Sequence, residues 1–114
     1  MNGDDKLKRL LTTVGLGAKA GAVVCGTDQI CDALRNEKKK PFLVIEASDT
    51  SDNTHKKLTD KCAYYNVRLA RIDADTVSLG YAVGKKTAVA AVGITDEGIC
   101  RAVEKKLDES ENVK

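Results

Sequence analysis

Phe42-Leu43-Val44-Ile45 is a continuous apolar run, preceded by the single proline of the chain, Pro41. A run without alternation predicts a strand covered on both faces, and such strands lie in sheets with helices on either side. The segments around it fit that reading. Upstream, Leu7, Leu10, Leu11 and Val14 fall at i, i+3, i+4 and i+7, one stripe of a first helix that Gly21 stops. Ala22–Cys25 is a short apolar stretch suited to a strand. Gly26 and Thr27 form a turn and cap, and Ile30, Ala33 and Leu34 mark the buried face of a second helix. Lys38-Lys39-Lys40 and Pro41 close it, the lysines serving the negative end of its dipole.

Downstream, Ser48–Asn53 is a polar loop rich in capping residues, and Leu58, Cys62 and Tyr65 outline a third helix face. Val67–Ile72 reads as a third strand. Asp75 or Thr76 caps a short fourth helix that Gly84 ends, and Ala88–Val92 forms the last strand. Thr95 caps a final helix with Asp96 and Glu97 in its first turn and Lys105 and Lys106 near its end. Strands alternating with helices at short intervals predict the α/β class, a three-layer α/β/α sandwich around a roughly four-stranded mixed sheet. Residues 1–107 read as a single domain, and 108–114, DESENVK, as a flexible acidic tail.

Composition agrees. The 114 residues are 42% hydrophobic and 32% charged, which suits one globular domain able to bury roughly 60–70% of its unfolded surface. No apolar run approaches the roughly 20 residues of a membrane span, and the opening MNGDDKLKRLL is too charged for a secretory signal. A cytoplasmic protein without membrane contact is expected. The formal charge is +2, from 19 basic and 17 acidic residues. Leaving out Asp108, Glu109, Glu111 and Lys114 changes the balance to 18 against 14, so the folded part is the more basic.

Cys25, Cys31, Cys62 and Cys100 contain no C-x-x-C pair, and His55 is the one histidine. That spacing argues against a metal site and for reduced thiols packed as small hydrophobes. Gly15-Leu16-Gly17-Ala18-Lys19-Ala20-Gly21 is one residue too long for a dinucleotide fingerprint and follows a helix; Gly21 and Gly26 have P-loop spacing without its lysine. Both read as helix-end glycines. His55, at a lysine-rich helix start, reads as a solvated surface residue, and no catalytic set or cofactor site is expected. Tyr64 and Tyr65 should divide between surface and core, with Lys56, Lys57 and Lys61 on a wet helix face.

Three segments remain. Val24-Cys25-Gly26-Thr27-Asp28-Gln29 is a glycine turn opening a helix, whose free N–H groups suit phosphates or base edges. Ile45-Glu46-Ala47-Ser48-Asp49, leading to Asn53-Thr54, is a strand followed by a polar loop. Leu79-Gly80-Tyr81-Ala82-Val83-Gly84-Lys85-Lys86 and Thr87-Ala88-Val89-Ala90-Ala91-Val92 join a helix end, a basic loop and a small-residue strand.

In this order the three resemble the kink-turn-binding ribosomal protein family of the L-seven-Ae and L-thirty-e type, from about Leu7 to Val103. The stretch LTDKCAYYNV (Leu58–Val67) and the ending GITDEGI (Gly93–Ile99) are most similar to its bacterial YlxQ-like branch. The resemblance implies a non-enzymatic, monomeric, ribosomal-protein-like binder of structured RNA, not DNA. It assigns the groove-reading segment to Gly26, Thr27, Asp28 and Gln29, and the loop over an extruded nucleotide to Lys85, Lys86 and Thr87. Archaeal members have Asn, Glu and Lys where this chain has Asp28, Gln29 and Asp32, and their covering loop is less basic. The alternative is a protein–protein interaction module on the same fold, using Asp28 and Asp32 against a basic partner.

Overall fold

The computed structural model describes residues 3–111. The elements run α1 (Gly3–Lys19), β1 (Val23–Cys25), α2 (Thr27–Leu34), β2 (Leu43–Glu46), α3 (Asp52–Tyr64), β3 (Arg68–Arg71), α4 (Thr76–Ala82), β4 (Ala91–Ile94) and α5 (Glu97–Glu111). The four strands form one mixed sheet in the order β1-β4-β2-β3, with β4 antiparallel to both neighbours and β2 parallel to β3.

The expected sandwich is present, and β2 explains it. Its side chains are all buried and alternate between two cores. Leu43 and Ile45 join Leu10 and Val14 of α1, Leu79 of α4, and Val103 and Leu107 of α5. Val44 joins Ile30 and Leu34 of α2 and Leu58 and Cys62 of α3. Period-two alternation therefore assigns α1, α4 and α5 to one face of the sheet and α2 and α3 to the other. Helix ends are well defined. After α1, Ala22 N–H donates to Gly17 O (2.8 Å) and Gly21 N–H to Ala18 O (3.1 Å), the paired bonds of a Schellman end. The same pair closes α4 at Gly84 (φ 79°) and α3 at Asn66 (φ 59°).

Several boundaries differ from expectation, each for a local reason. The strand after Pro41 starts at Leu43, leaving Phe42 half exposed and taking Glu46 into the interior. Helix α2 ends at Leu34, before the lysine run; Asn36 organises that turn by accepting from the Lys38 N–H (3.0 Å) on its side chain. The lysines therefore do not cap the helix. The last strand is Ala91–Ile94, later than Ala88–Val92, because its partners Val23–Cys25 and Leu43–Glu46 set the register. Asp96 rather than Thr95 caps α5, accepting from the Ile99 N–H at 2.9 Å. Helix α5 continues to Glu111, so residues 108–111 prolong a helix where a tail was expected; residues 112–114 lie outside the described residues. Gly15 and Gly17 sit within α1 rather than at its end. A Cβ on Gly15 would lie 2.6 Å from Ala82 O, and one on Gly17 2.8 Å from Ile99, so both allow close helix packing.

All four cysteines are free; Cys31, Cys62 and Cys100 are buried and Cys25 is half buried. Burial pushes Cys62 and Cys100 up from 9.0 to about 11. A thiol that holds its proton more tightly when folded favours folding fully below pH 9 and loses that contribution as pH rises toward 11. Thermal melts should therefore drop steeply between pH 9 and 11, and at pH 7 iodoacetamide should label Cys25 first in the native protein.

Candidate nucleic-acid interface

Because β4 runs against its neighbours, β1, β2 and β3 end, and β4 begins, at one end of the sheet. Backbone bonds join these ends: Gly26 N–H donates to Ala91 O (3.0 Å), Ala47 N–H to Ala90 O (2.9 Å) and Ile72 N–H to Glu46 O (2.9 Å). Ligands of open α/β sheets bind beyond the carboxyl ends of strands. Here that region holds the starts of α2, α3 and α4 and the loop over residues 83–90.

Helix α2 starts without a side-chain cap. Gly26 is the N-cap, with φ 96° and ψ 147°, and Thr27 is the first helical residue, not a capping partner as expected. The left-handed backbone favours glycine. A Cβ there would also lie 2.7 Å from Gln29 Oε1, because the Gln29 side chain turns back over the entry. Two nearby acids are already paired. Lys57 Nζ of α3 donates to Asp28 Oδ1 at 3.2 Å, and Arg35 pairs with Asp32 one turn on. Exposed pairs of this kind contribute about 0–1 kcal/mol, so they exchange readily while neutralising the carboxylates.

The loop after α4 is shaped by α4 itself. Lys85 N–H donates to Gly80 O (2.9 Å) and Val89 N–H to Thr76 O (3.0 Å), laying the loop back along the helix. A Cβ on Gly80 would overlap the Thr87 carbonyl, so this return requires glycine. Lys85, Lys86 and Thr87 are exposed and line a cleft with Val77, Tyr81, Gly84 and Ala88. Burial raises the Cys25 pKa, and the Lys85 ammonium opposes that rise. The structure thus brings the two sequence-assigned segments, 26–29 and 85–87, to the same end of the sheet.

At the same end of the sheet, on β2 across β4 from β1, stands a buried polar group that sequence reasoning missed. Glu46, fully buried, accepts from Thr50 Oγ1 (2.5 Å) and from His55 Nδ1 (2.8 and 2.9 Å). His55 is therefore not merely solvated: its side chain is 42% exposed, yet it fastens the first turn of α3 to β2. Arg71, beside Glu46 in the register, donates to Ser48 O (2.9 Å), and Asp49 accepts from the Thr76 N–H (2.7 Å). The signal in the sequence is a glutamate ending an apolar strand, with the chain's one histidine nine residues on. His55→Ala should destabilise the protein by about 2 kcal/mol, because a buried carboxylate loses a donor. Glu46→Leu combined with His55→Ala should cost less than His55→Ala alone, and urea titration of both variants measures the difference.

The family model for the ribosomal protein L7Ae/L30e/S12e/Gadd45 family matches residues 8–104, nearly all of this fold. The chain belongs to that family. Among its relatives, the "RNA-binding protein YlxQ" of Bacillus subtilis (strain 168) is 39% identical over 95 residues, covering 83% of this chain and 91% of the relative. The protein of the same name from Enterococcus faecium is 30% identical over 101 residues, covering 89% and 93%. These two carry the resemblance to the YlxQ-like branch. A solved structure of a protein of unknown function from Bacillus halodurans superposes with a TM-score of 0.78 at 32% identity, covering 88% of this chain and 97% of that one. The Giardia lamblia 15.5kD RNA binding protein, at 22% identity and a TM-score of 0.74, covers 94% and 88% and shows the shared fold. Among the described residues, no helix is long and apolar enough to cross a membrane.

Proposed function

We propose that this L7Ae-family chain is a non-enzymatic RNA-binding protein that takes a structured, kink-turn-type RNA at the strand-end surface. One observation carries the reading: the uncapped start of α2 at Gly26 and the basic Lys85–Thr87 loop lie at the same end of the sheet. Free N–H groups at a helix start, with no Cβ at its entry, suit a base edge or phosphate approached closely. Two lysines at the same end of the sheet suit the backbone of a sharply bent RNA. The names of the two bacterial relatives support the same partner class.

The protein-module alternative needs Asp28 and Asp32 available to a basic partner. Their pairing with Lys57 and Arg35 favours RNA instead, since it removes negative charge from the surface that phosphates would approach. Electrophoretic mobility shift with a kinked RNA tests the reading. Gly26→Glu should abolish the shift while leaving the far-ultraviolet dichroism native. Asp28→Asn with Asp32→Lys should strengthen binding by roughly tenfold or more, as phosphate-facing charge turns positive and Lys57 is released. Unchanged or weaker binding by that pair would count against the assigned contacts.

A further inference from the structure

Among the described residues five large apolar side chains are exposed, and three of them, Leu16, Val77 and Tyr81, border a single groove between α1 and α4. The groove holds about 740 Å³ and is lined also by Lys8, Leu11, Thr12, Gly15 and Lys19. It is continuous with the cleft under the 83–90 loop, because Val77 and Tyr81 line both. Every charged side chain lining the two is a lysine: Lys8, Lys19, Lys85 and Lys86. None of the four is held in an ion pair among the described residues.

The helix geometry makes this a track. Lys8 and Lys19 are eleven residues apart, three turns, so they share one face of α1 about 16 Å apart along the axis. Thr12, Gly15 and Leu16 lie between them on that face, and the missing Cβ of Gly15 lets α4 approach. Tyr81, 85% exposed, stands on the opposite bank. An aromatic ring and apolar side chains between ammonium groups, with the Thr12 and Ser78 hydroxyls on the rim, suit bases and phosphates alternating along a strand.

We infer that the α1–α4 groove binds a single-stranded RNA segment, with a base stacked on Tyr81 and phosphates held by Lys8 and Lys19, leading away from the Lys85–Lys86 loop. The inference rests on the RNA-binding reading above and extends it to a surface outside the α2 entry. An acidic amphipathic peptide is the rival occupant.

The test uses fluorescein-labelled octauridine in anisotropy titrations, beside a kinked RNA with no single-stranded extension. Tyr81→Ala should weaken octauridine binding roughly tenfold or more, and Tyr81→Phe should restore it, since stacking needs the ring and not the hydroxyl. Lys8→Glu with Lys19→Glu should reduce the salt slope for octauridine by about two units. All three positions are exposed, and matching melting curves would show that the variants fold. Octauridine binding that is absent, or indifferent to Tyr81→Ala, overturns the inference, as does a glutamate-rich helical peptide that displaces octauridine at lower concentration. If the Tyr81 variants leave octauridine unaffected while Gly26→Glu abolishes binding of the kinked RNA, the groove assignment alone fails. If Tyr81→Ala weakens octauridine while Gly26→Glu leaves the kinked RNA bound, the α2 reading fails and the groove stands.

Discussion

Replacing Lys85 and Lys86 together by glutamate should weaken binding of a kinked RNA by roughly a hundredfold at physiological salt, and lower the salt slope by about two units. The size follows from the position of the loop. Both lysines are exposed and held in no ion pair among the described residues, so their ammonium groups face solvent and any polyanion that enters. They share the strand-end surface with the entry to α2, whose dipole and free N–H groups already favour an anion. Charge reversal there replaces two attractions by two repulsions at the point of closest approach. The fold should be indifferent, because neither side chain is packed: melting temperatures of variant and parent should coincide. Titrations between 50 and 200 mM salt separate this effect from a loss of shape recognition, which would lower affinity without changing the slope.

Gly80→Ala should act on stability and on RNA together. The added methyl would overlap the Thr87 carbonyl, and Val89 N lies only 3.3 Å from the same point, so backbone rather than a flexible side chain must move. Overpacking against backbone costs about 2–3 kcal/mol, which for a domain of this size lowers the melting temperature by roughly 10–15 °C. The strain falls on the segment that presents Lys85–Thr87, so RNA affinity should drop even at temperatures where the variant is folded. Lys85→Glu/Lys86→Glu alters binding alone, and Gly80→Ala alters both. Comparing them tells a charge contact from a shaped loop.

Much of the architecture was legible because it rests on local patterns. The unbroken Leu43–Ile45 run needs cover on both faces, and the i, i+3, i+4, i+7 stripe of Leu7–Val14 needs one partner, so the layers follow. Asp75, which accepts from the Ser78 N–H at 2.7 Å, and Gly84 act as a cap and a stop for α4 just as their types suggest. What escaped depends on partners distant in sequence. The register of β4 is set by β1 and β2, which no window around Ala88–Val92 contains. The roles of Gly15 and Gly80 depend on Ala82 and Thr87 crossing close by, and a glycine inside a helix does not reveal what approaches it. Within the candidate site, Gly26 and the Lys85–Lys86 pair stood out by residue type. Lys57 and His55 did not, since an exposed lysine and a polar-segment histidine look alike whether solvated or paired. Glu46 was the available clue: a carboxylate ending an apolar strand requires donors, and Thr50 and His55 supply them.

Ultraviolet crosslinking of the intact protein to a kinked RNA, followed by mass spectrometry of the crosslinked peptides, tests the strand-end surface most directly. Crosslinks should fall on the segments containing Gly26–Gln29 and Lys85–Thr87 and disappear in Lys85→Glu/Lys86→Glu. Crosslinks confined to the Lys38–Lys40 turn or to the exposed face of α3 around Tyr64, with both strand-end segments unlabelled, would contradict it.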